Sequence, residues 1–301
     1  MRERLEYYLA LFVVKGLGLM PQRVARSVGV SVARLFFALR PPLRRTANFN
    51  LRLAFPEWTE AQRKQNISRM VRNLGRMAGE FSQFPKYTPE NVSDVVVMVG
   101  EENYVAAEQG GNGLLLLGGH IGAWELSSFA LGLYGHPCHF LVRAITNSRV
   151  DALVNEYRGL SGGKPIEKNE SARAILKVLR GGGAVGILAD HNTALEEGVF
   201  VDFFGVPACS TSGLARIALR TDAAVVPVYA LWDEAVGKYR LHVDPQVELI
   251  RTGDLDADVR ANTARFIHII ENIARAYPDQ WLWVHKRWKT RPPGEEPIYP
   301  F

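Results

Sequence analysis

Apolar residues recur at helical spacing through the first third of the chain, and in short continuous runs after it. Residues 9–20, LALFVVKGLGLM, are apolar except for Lys15, and residues 28–39 form a second such run broken by Arg34. Pro21 suits the first position of a helix, and Pro41-Pro42 ends the one that follows, because proline lacks the N–H that a helix interior needs. Thr59 predicts a capped start for a further helix reaching about Glu80, with Ile67, Met70, Val71 and Leu74 on one face. A proline-containing connector covers 84–91. Beyond it the pattern predicts strands at 95–99, 113–117, 139–142, 184–188, 225–229 and 239–243. Helices are predicted at 101–108, 123–133, 148–160, 171–179, 212–219 and 259–276. Buried strands alternating with helices indicate an α/β fold, with a mixed, largely parallel central sheet flanked by helices on both faces. The expected organisation is a helical region over 1–90 and an α/β region over 91–301, joined as one continuous unit.

Charge changes how the N-terminal region is read. Residues 1–90 hold 16 Lys or Arg against 6 Asp or Glu, whereas the remainder holds 20 against 25. A basic region interleaved with apolar runs suits an anionic membrane surface, where each Lys or Arg near the lipid contributes roughly 1 kcal/mol. Nucleic acid is the other common anionic partner, but no recognition motif for it is present, and none is expected to bind. A spanning helix needs about 20 predominantly apolar residues. Both runs are shorter and each carries a charge, so interfacial or hairpin helices are expected, with a single span as the alternative. MRER before an apolar stretch has the outline of a signal peptide, but no small-x-small cleavage site closes it, and none is expected. At 301 residues and 47% apolar content the chain is long enough for a sizeable core, which excludes wholesale disorder. Two cysteines, Cys138 and Cys209, make neither a metal site nor a disulfide framework and fit a reducing compartment.

Three short patterns invite chemistry and are set aside. Gly159-Leu160-Ser161-Gly162-Gly163 fits G-x-S-x-G, but a helix precedes it where a nucleophile elbow needs a strand. Gly181, Gly183 and Gly186 fit G-x-G-x-x-G, but they end a helix and open a strand, the reverse of a dinucleotide turn. His136 and His139 bracket Cys138 without a second ligand cluster and read as structural. The remaining candidate is the run GGHIGAWE. His120 follows a buried strand and two glycines, and Glu125 lies five residues on, inside the next helix. On one continuous helix they would point about 140° apart. They meet only if His120 lies in the preceding loop and bends back, which Gly118, Gly119 and Gly122 permit. A carboxylate on one ring nitrogen would fix the tautomer and leave the other nitrogen as a base. On spacing alone, a histidine satisfied in a loop and a glutamate on a helix face is the plainer reading.

A resemblance extending over most of the chain changes that balance. HIGAWE resembles the H-x4-D/E motif of the lipid A biosynthesis acyltransferases, the late lauroyl- and myristoyl-transferases, and is similar to that of their relatives, the phosphatidylinositol mannoside acyltransferases. Further blocks match in order: NLRLAFPEWTEAQR at 50–63, LVR at 141–143, LADHN at 188–192, GVFVDFFGVPA at 198–208, VVPVY at 225–229 and YPDQWLWVHKRWKTRP at 277–292. The resemblance implies a glycerolphosphate-acyltransferase-like sheet within the wider lysophospholipid acyltransferase superfamily. It implies His120 as general base, with Glu125 orienting and charging it. Arg143 would hold an acceptor phosphate or the polarised thioester oxygen, and Asp190 would be a polar member of the same site. Phe203, Phe204 and Gly205 would shape the acyl or acceptor pocket. Arg287 and Lys289 would meet acceptor phosphates or an acidic carrier protein. Asp202 adds a carboxylate, so Asp190 or Asp202 could share or replace the role of Glu125.

The activity implied is one-step transfer of a fatty acyl chain from acyl-carrier protein or acyl-CoA, a co-substrate rather than a cofactor, to a glycolipid hydroxyl at the cytoplasmic face of the cell inner membrane. The acceptor stays open between a lipid A precursor, which the C-terminal block favours, a mannosylated phosphoinositide and another glycolipid. A non-catalytic membrane-surface paralogue and a lipid hydrolase using the same dyad are the rival readings.

Overall fold

The computed structural model describes residues 2–167 and 171–301. Four helices come first: α1 (Arg2–Leu19), α2 (Gln22–Ala38), α3 (Pro41–Ala54) and α4 (Glu60–Gln83). Pro41-Pro42 ends α2 and also opens α3, whose first turn needs no N–H donors. Thr59 caps α4 through a reciprocal box, its hydroxyl accepting from the Gln62 N–H while the Gln62 side chain accepts from the Thr59 N–H. The α/β part follows as β1 (Val96–Val99), α5 (Glu101–Glu108), β2 (Leu114–Gly118), α6 (Trp124–Leu133), β3 (Cys138–Val142), α7 (Ser148–Gly159), β4 (Pro165–Glu167), α8 (Ser171–Arg180) and β5 (Ala184–Leu188). It closes with β6 (Gly198–Phe203), β7 (Val206–Thr211), α9 (Gly213–Thr221), β8 (Ala224–Asp233), β9 (Lys238–Val243) and α10 (Leu255–Ala276).

Seven strands form one sheet in the order β1-β9-β8-β2-β5-β3-β4. Every neighbouring pair is parallel except β8 with β9. The mixed, mostly parallel sheet expected from the sequence is therefore present. Strands β2, β5 and β8 lie at its centre, and their side chains alternate between two cores. Leu115, Leu117, Val185, Ile187 and Val225 face one core, under α8, α9, α10 and the C-terminal segment. Leu114, Leu116, Val226 and Val228 face the other, under α5, α6 and α7. That two-sided burial is why these strands read as unbroken apolar runs rather than alternating ones.

Two elements escaped the sequence pattern. The three-residue β4 is too short to show a period. The β6–β7 hairpin turns at Phe204 and Gly205, both with positive φ (55° and 73°). Such a turn usually announces itself as Asn-Gly. Phe204 tolerates the left-handed backbone because its N–H donates to Glu271 Oε2 at 2.7 Å and its ring packs against Phe55 and Trp283.

The α2–α4 crossing is made of backbone. A methyl group on Gly75 would come within 2.5 Å of the Val30 Cα and 2.7 Å of the Gly29 carbonyl, and one on Gly79 within 2.7 Å of the Ala25 carbonyl. Among the described residues no helix is long and apolar enough to cross a membrane. Half of their large apolar side chains that reach solvent nevertheless lie before Arg40, on α1, α2 and the residue after α2.

Gly→Ala inside a helix ordinarily stabilises by about 0.5–1 kcal/mol. At Gly75 the close approach reverses the sign, and Gly75→Ala is expected to cost roughly 1–3 kcal/mol. Gly16, with nothing within 4 Å of an added methyl group, should show the ordinary gain. Denaturant unfolding of the two variants checks this; a Gly75→Ala protein as stable as wild type would mean that α2 and α4 are not in backbone contact.

Candidate active site

Strand β2 ends at Gly118, and the chain then runs along β8 before entering α6. Gly122 (φ 58°) makes this possible, since an added Cβ would lie 1.9 Å from the Ala230 carbonyl oxygen. The result is a tight loop that presents His120 at the carboxyl end of the central strands, a favoured place for a site in an open α/β sheet.

Asp190 follows β5, the neighbour of β2. Its carboxylate is fully buried and has three donors. Oδ1 meets His120 Nδ1 at 2.8 Å, while Oδ2 accepts from the His120 N–H at 2.8 Å and from Trp281 Nε1 at 2.9 Å. Burial on its own would raise the carboxyl's affinity for a proton. The His120 charge and the donors around it outweigh burial and hold Asp190 well below the usual carboxylate range. An ionised carboxylate only accepts hydrogen bonds, so Nδ1 of His120 carries the hydrogen and, in the neutral ring, Nε2 carries the lone pair. The His120 side chain keeps 16% of its surface exposed, whereas that of Asp190 keeps 1%.

Behind His120 stands a column of rings. The His191 ring lies 3.6 Å from it at an interplanar angle of 4°, and His285 lies 4.0 Å beyond His191 at 15°. His285 Nε2 accepts from the Asn192 N–H at 2.9 Å, which fixes it as an acceptor. Burial, followed by the neighbouring His120, lowers His191 to about 4; burial and His191 lower His285 to about 3. Both are therefore neutral aromatic supports at physiological pH. His120, Asp190 and His191 bring ligand atoms within 4.8 Å of one another. Face-to-face rings, however, direct their in-plane lone pairs side by side rather than toward one point. Three donors from His120 and Trp281 also already engage Asp190. The group does not fit a metal ion.

Several sequence expectations change here. Glu125 does not contact His120. It forms a bidentate pair with Arg158, its Oε1 and Oε2 accepting from the guanidinium at 2.6 and 2.7 Å. The five-residue spacing carries Glu125 onto the first turn of α6, facing α7, and Asp190 takes the contact with His120 instead. Asp202 points to solvent from β6. Phe203 and Phe204 are buried among Trp281, Trp288, Phe55 and Trp283, beneath the site rather than on a pocket wall, with Gly205 in the exposed turn. Arg287 is fully buried. Its guanidinium donates to the carbonyl of Cys209 at 2.9 Å and to the Ser210 hydroxyl, and burial lowers it to about 10. It clamps the C-terminal segment onto β7 and cannot meet a carrier protein. Lys289 and Arg143 are exposed; Arg143, just beyond β3, is close enough to contribute to the lowering of His191.

Next to the loop opens an apolar cleft of about 620 Å³ between β2, β3 and β5 and the helices α6 and α7. Leu116, Leu131, Phe140, Ile187 and Val228 are among its walls, and the Glu125–Arg158 pair and Trp124 line it too. The Trp124 ring lies 5.2 Å from that of His120, so cleft and histidine adjoin. Sequence reasoning assigned no role to Arg158, His191, His285 or Trp281. The last three lie inside the matching blocks at 188–192 and 277–292, which were the available signal, whereas Arg158 had none.

The histidine column should make the fold acid-sensitive. The unfolded chain protonates these histidines near pH 6.5, whereas the folded chain resists until about 4 and 3. In that window the unfolded state binds more protons. Stability should therefore fall as pH drops from about 6.5 to about 4, by up to ~1.4 kcal/mol per pH unit for each histidine. His191→Phe keeps the stack and should flatten that slope. Urea midpoints at pH 7.5, 6 and 5 for wild type and variant measure it, and parallel slopes would refute the effect.

Comparison with known proteins finds matches over nearly the whole chain. The model of the bacterial lipid A biosynthesis acyltransferase family matches residues 2–290. A lipid A biosynthesis acyltransferase of Haemophilus influenzae is 27% identical over 253 residues, covering 84% of this chain and 78% of that one. The lipid A biosynthesis palmitoleoyltransferase of Escherichia coli is 27% identical over 270 residues (89% and 85%), and the myristoyltransferase of the same organism 24% over 288 (96% and 88%). With the fold, the buried histidine–aspartate pair and the apolar cleft in hand, the family match completes the case: the chain belongs to the bacterial lipid A biosynthesis acyltransferases.

Proposed function

We propose that this enzyme transfers a fatty acyl chain from a thioester donor, acyl-carrier protein or acyl-CoA, to a hydroxyl of a lipid A precursor, with His120 as general base and Asp190 as the group that orients it. The observation carrying this reading is the His120–Asp190 pair, whose buried carboxylate leaves Nε2 as the free basic nitrogen. Nε2 takes the acceptor hydroxyl's proton as the oxygen attacks the thioester carbonyl. The tetrahedral oxyanion is stabilised by Arg143 or backbone N–H groups. Its collapse breaks the C–S bond, and the thiolate leaves with the proton returned by the imidazolium. The imidazolium formed in between is stabilised by Asp190. Two features support direct transfer without an acyl-enzyme. Both cysteines are buried, burial pushing the Cys138 thiol up to about 12, and Ser161 is buried with no base beside it.

The apolar walls of the cleft suit an acyl chain. The Glu125–Arg158 pair is the charged feature in its wall, and we assign Glu125 the role of holding Arg158 in place rather than orienting His120. Leu5, Tyr8, Leu9, Phe12 and Leu19 on α1 and Leu35 and Phe36 on α2 are exposed and suit an interfacial seat on the cytoplasmic face of the inner membrane.

The test is a membrane-fraction transfer assay with acyl-carrier-protein and acyl-CoA thioesters and a Kdo-bearing lipid A precursor. His120→Ala should lower kcat by about 10²–10⁴ or more with the fold intact. Asp190→Asn should fall in the same range, because an amide cannot stabilise the imidazolium and can hold the wrong tautomer. Near-wild-type kcat in Asp190→Asn would return the orienting role to Glu125. Folded, membrane-bound wild-type protein that turned over no glycolipid acceptor would favour the non-catalytic reading.

A further inference from the structure

A groove of about 1050 Å³ opens between α2, α3 and α4, outside the site described above. Four cations line it: Arg34 of α2, Arg44 and Arg45 of α3, and Lys64 of α4. Its apolar lining includes Phe37 and Val71. The single carboxylate in the lining, Glu60, is already paired with Lys64. Arg34 and Arg44 make no ion pair among the described residues, and Arg45 lies over the Phe301 ring, 5.7 Å from its centroid. The groove therefore concentrates positive charge that nothing in the chain compensates, which repels itself unless an anion sits there.

The surroundings select the kind of anion. At the end of α2, Leu35 and the capping Leu39 follow Arg34 and Ala38 directly and are 62% and 71% exposed, with Phe36 between them. A polar anion would leave this ridge bare. An amphiphile with a phosphate head and hydrocarbon tails would use both features, the head against the arginines and the tails along the ridge. We propose that this groove seats the headgroup of an anionic membrane phospholipid and so gives the enzyme a preference for anionic bilayers. The assignment rests on the reading that α1 and α2 face lipid, and adds to it a defined headgroup site.

Arg34 and Arg44 are exposed and unpaired, so replacing them leaves the fold undisturbed, which circular dichroism and an unfolding midpoint confirm. The full chain is sedimented with vesicles of phosphatidylcholine alone and of phosphatidylcholine mixed with phosphatidylglycerol. Wild type should bind the mixed vesicles more tightly, and less so as salt rises. Arg34→Gln/Arg44→Gln should lose most of that preference, at roughly five-fold per arginine. The control pair Lys177→Gln/Arg220→Gln, two exposed cations elsewhere, should keep it. Wild type that bound neither vesicle would overturn the lipid-facing reading and the groove with it. Equal binding to both vesicles, or equal behaviour of groove and control pairs, would overturn the groove alone. A groove pair that kept its phosphatidylglycerol preference but lost affinity for acyl-carrier protein would also overturn it, and assign the groove to an acidic protein.

Discussion

A buried negative charge organises this molecule. Removing a carboxylate from water is costly, and Asp190 survives ionised at the carboxyl end of the central strands because His120 and Trp281 direct three donors at it. Each donor ties down a different part of the chain. The backbone N–H of His120 holds the end of β2 against that of β5, the Nδ1–H fixes the orientation of the imidazole, and the indole holds the C-terminal segment. Without the charge, these three would lose the acceptor they share.

The C-terminal segment is the second half of that arrangement. The His120 carbonyl accepts from the Leu282 N–H at 3.0 Å, and Asn50 of α3 reaches the carbonyls of Trp283 and His285 at 2.7 Å each. Arg287 fastens the next turn to β7. These bonds bring the helical N-terminal part, the sheet and the hairpin to one strip of chain. That strip supplies the Trp281 donor and the last ring of the histidine column. A stretch with no regular structure of its own thus decides where the His120 ring points.

Much of the architecture could be read from the sequence because it is local. Unbroken apolar runs revealed β2, β5 and β8, prolines marked both ends of α2, and Thr59 with Gln62 announced α4. His120 was legible as a residue placed by glycines at a strand end, and Asp190 as a polar neighbour. Which carboxylate serves the histidine was not legible. His120 and Asp190 are 70 residues apart and meet because β5 is the spatial neighbour of β2, an adjacency that spacing along the chain does not encode. Glu125 was nearer in sequence but belongs to Arg158, 33 residues on. Arg287 sits in a basic run expected to meet phosphates or a carrier protein, yet the tryptophans around it draw it inside. Phe204-Gly205 concealed a hairpin because the αL position is stabilised by Glu271, a partner on α10.

The glycine contact between α2 and α4 has a mechanical consequence. Backbones touching backbones leave no side-chain cushion to slide on, so the two helices move as one plate. From α4, Asn66 and Asn73 grip the carbonyls of Pro278 and Asp279 at 3.0 and 2.8 Å, a few residues before Trp281. An unbroken stiff linkage thus runs from the exposed ridge of α2 to the ring of His120. If that ridge rests in lipid, the plate acts as a depth gauge: it fixes the height of the basic nitrogen above the bilayer, and a hydroxyl is reached or missed according to how far its own lipid lifts it from the surface.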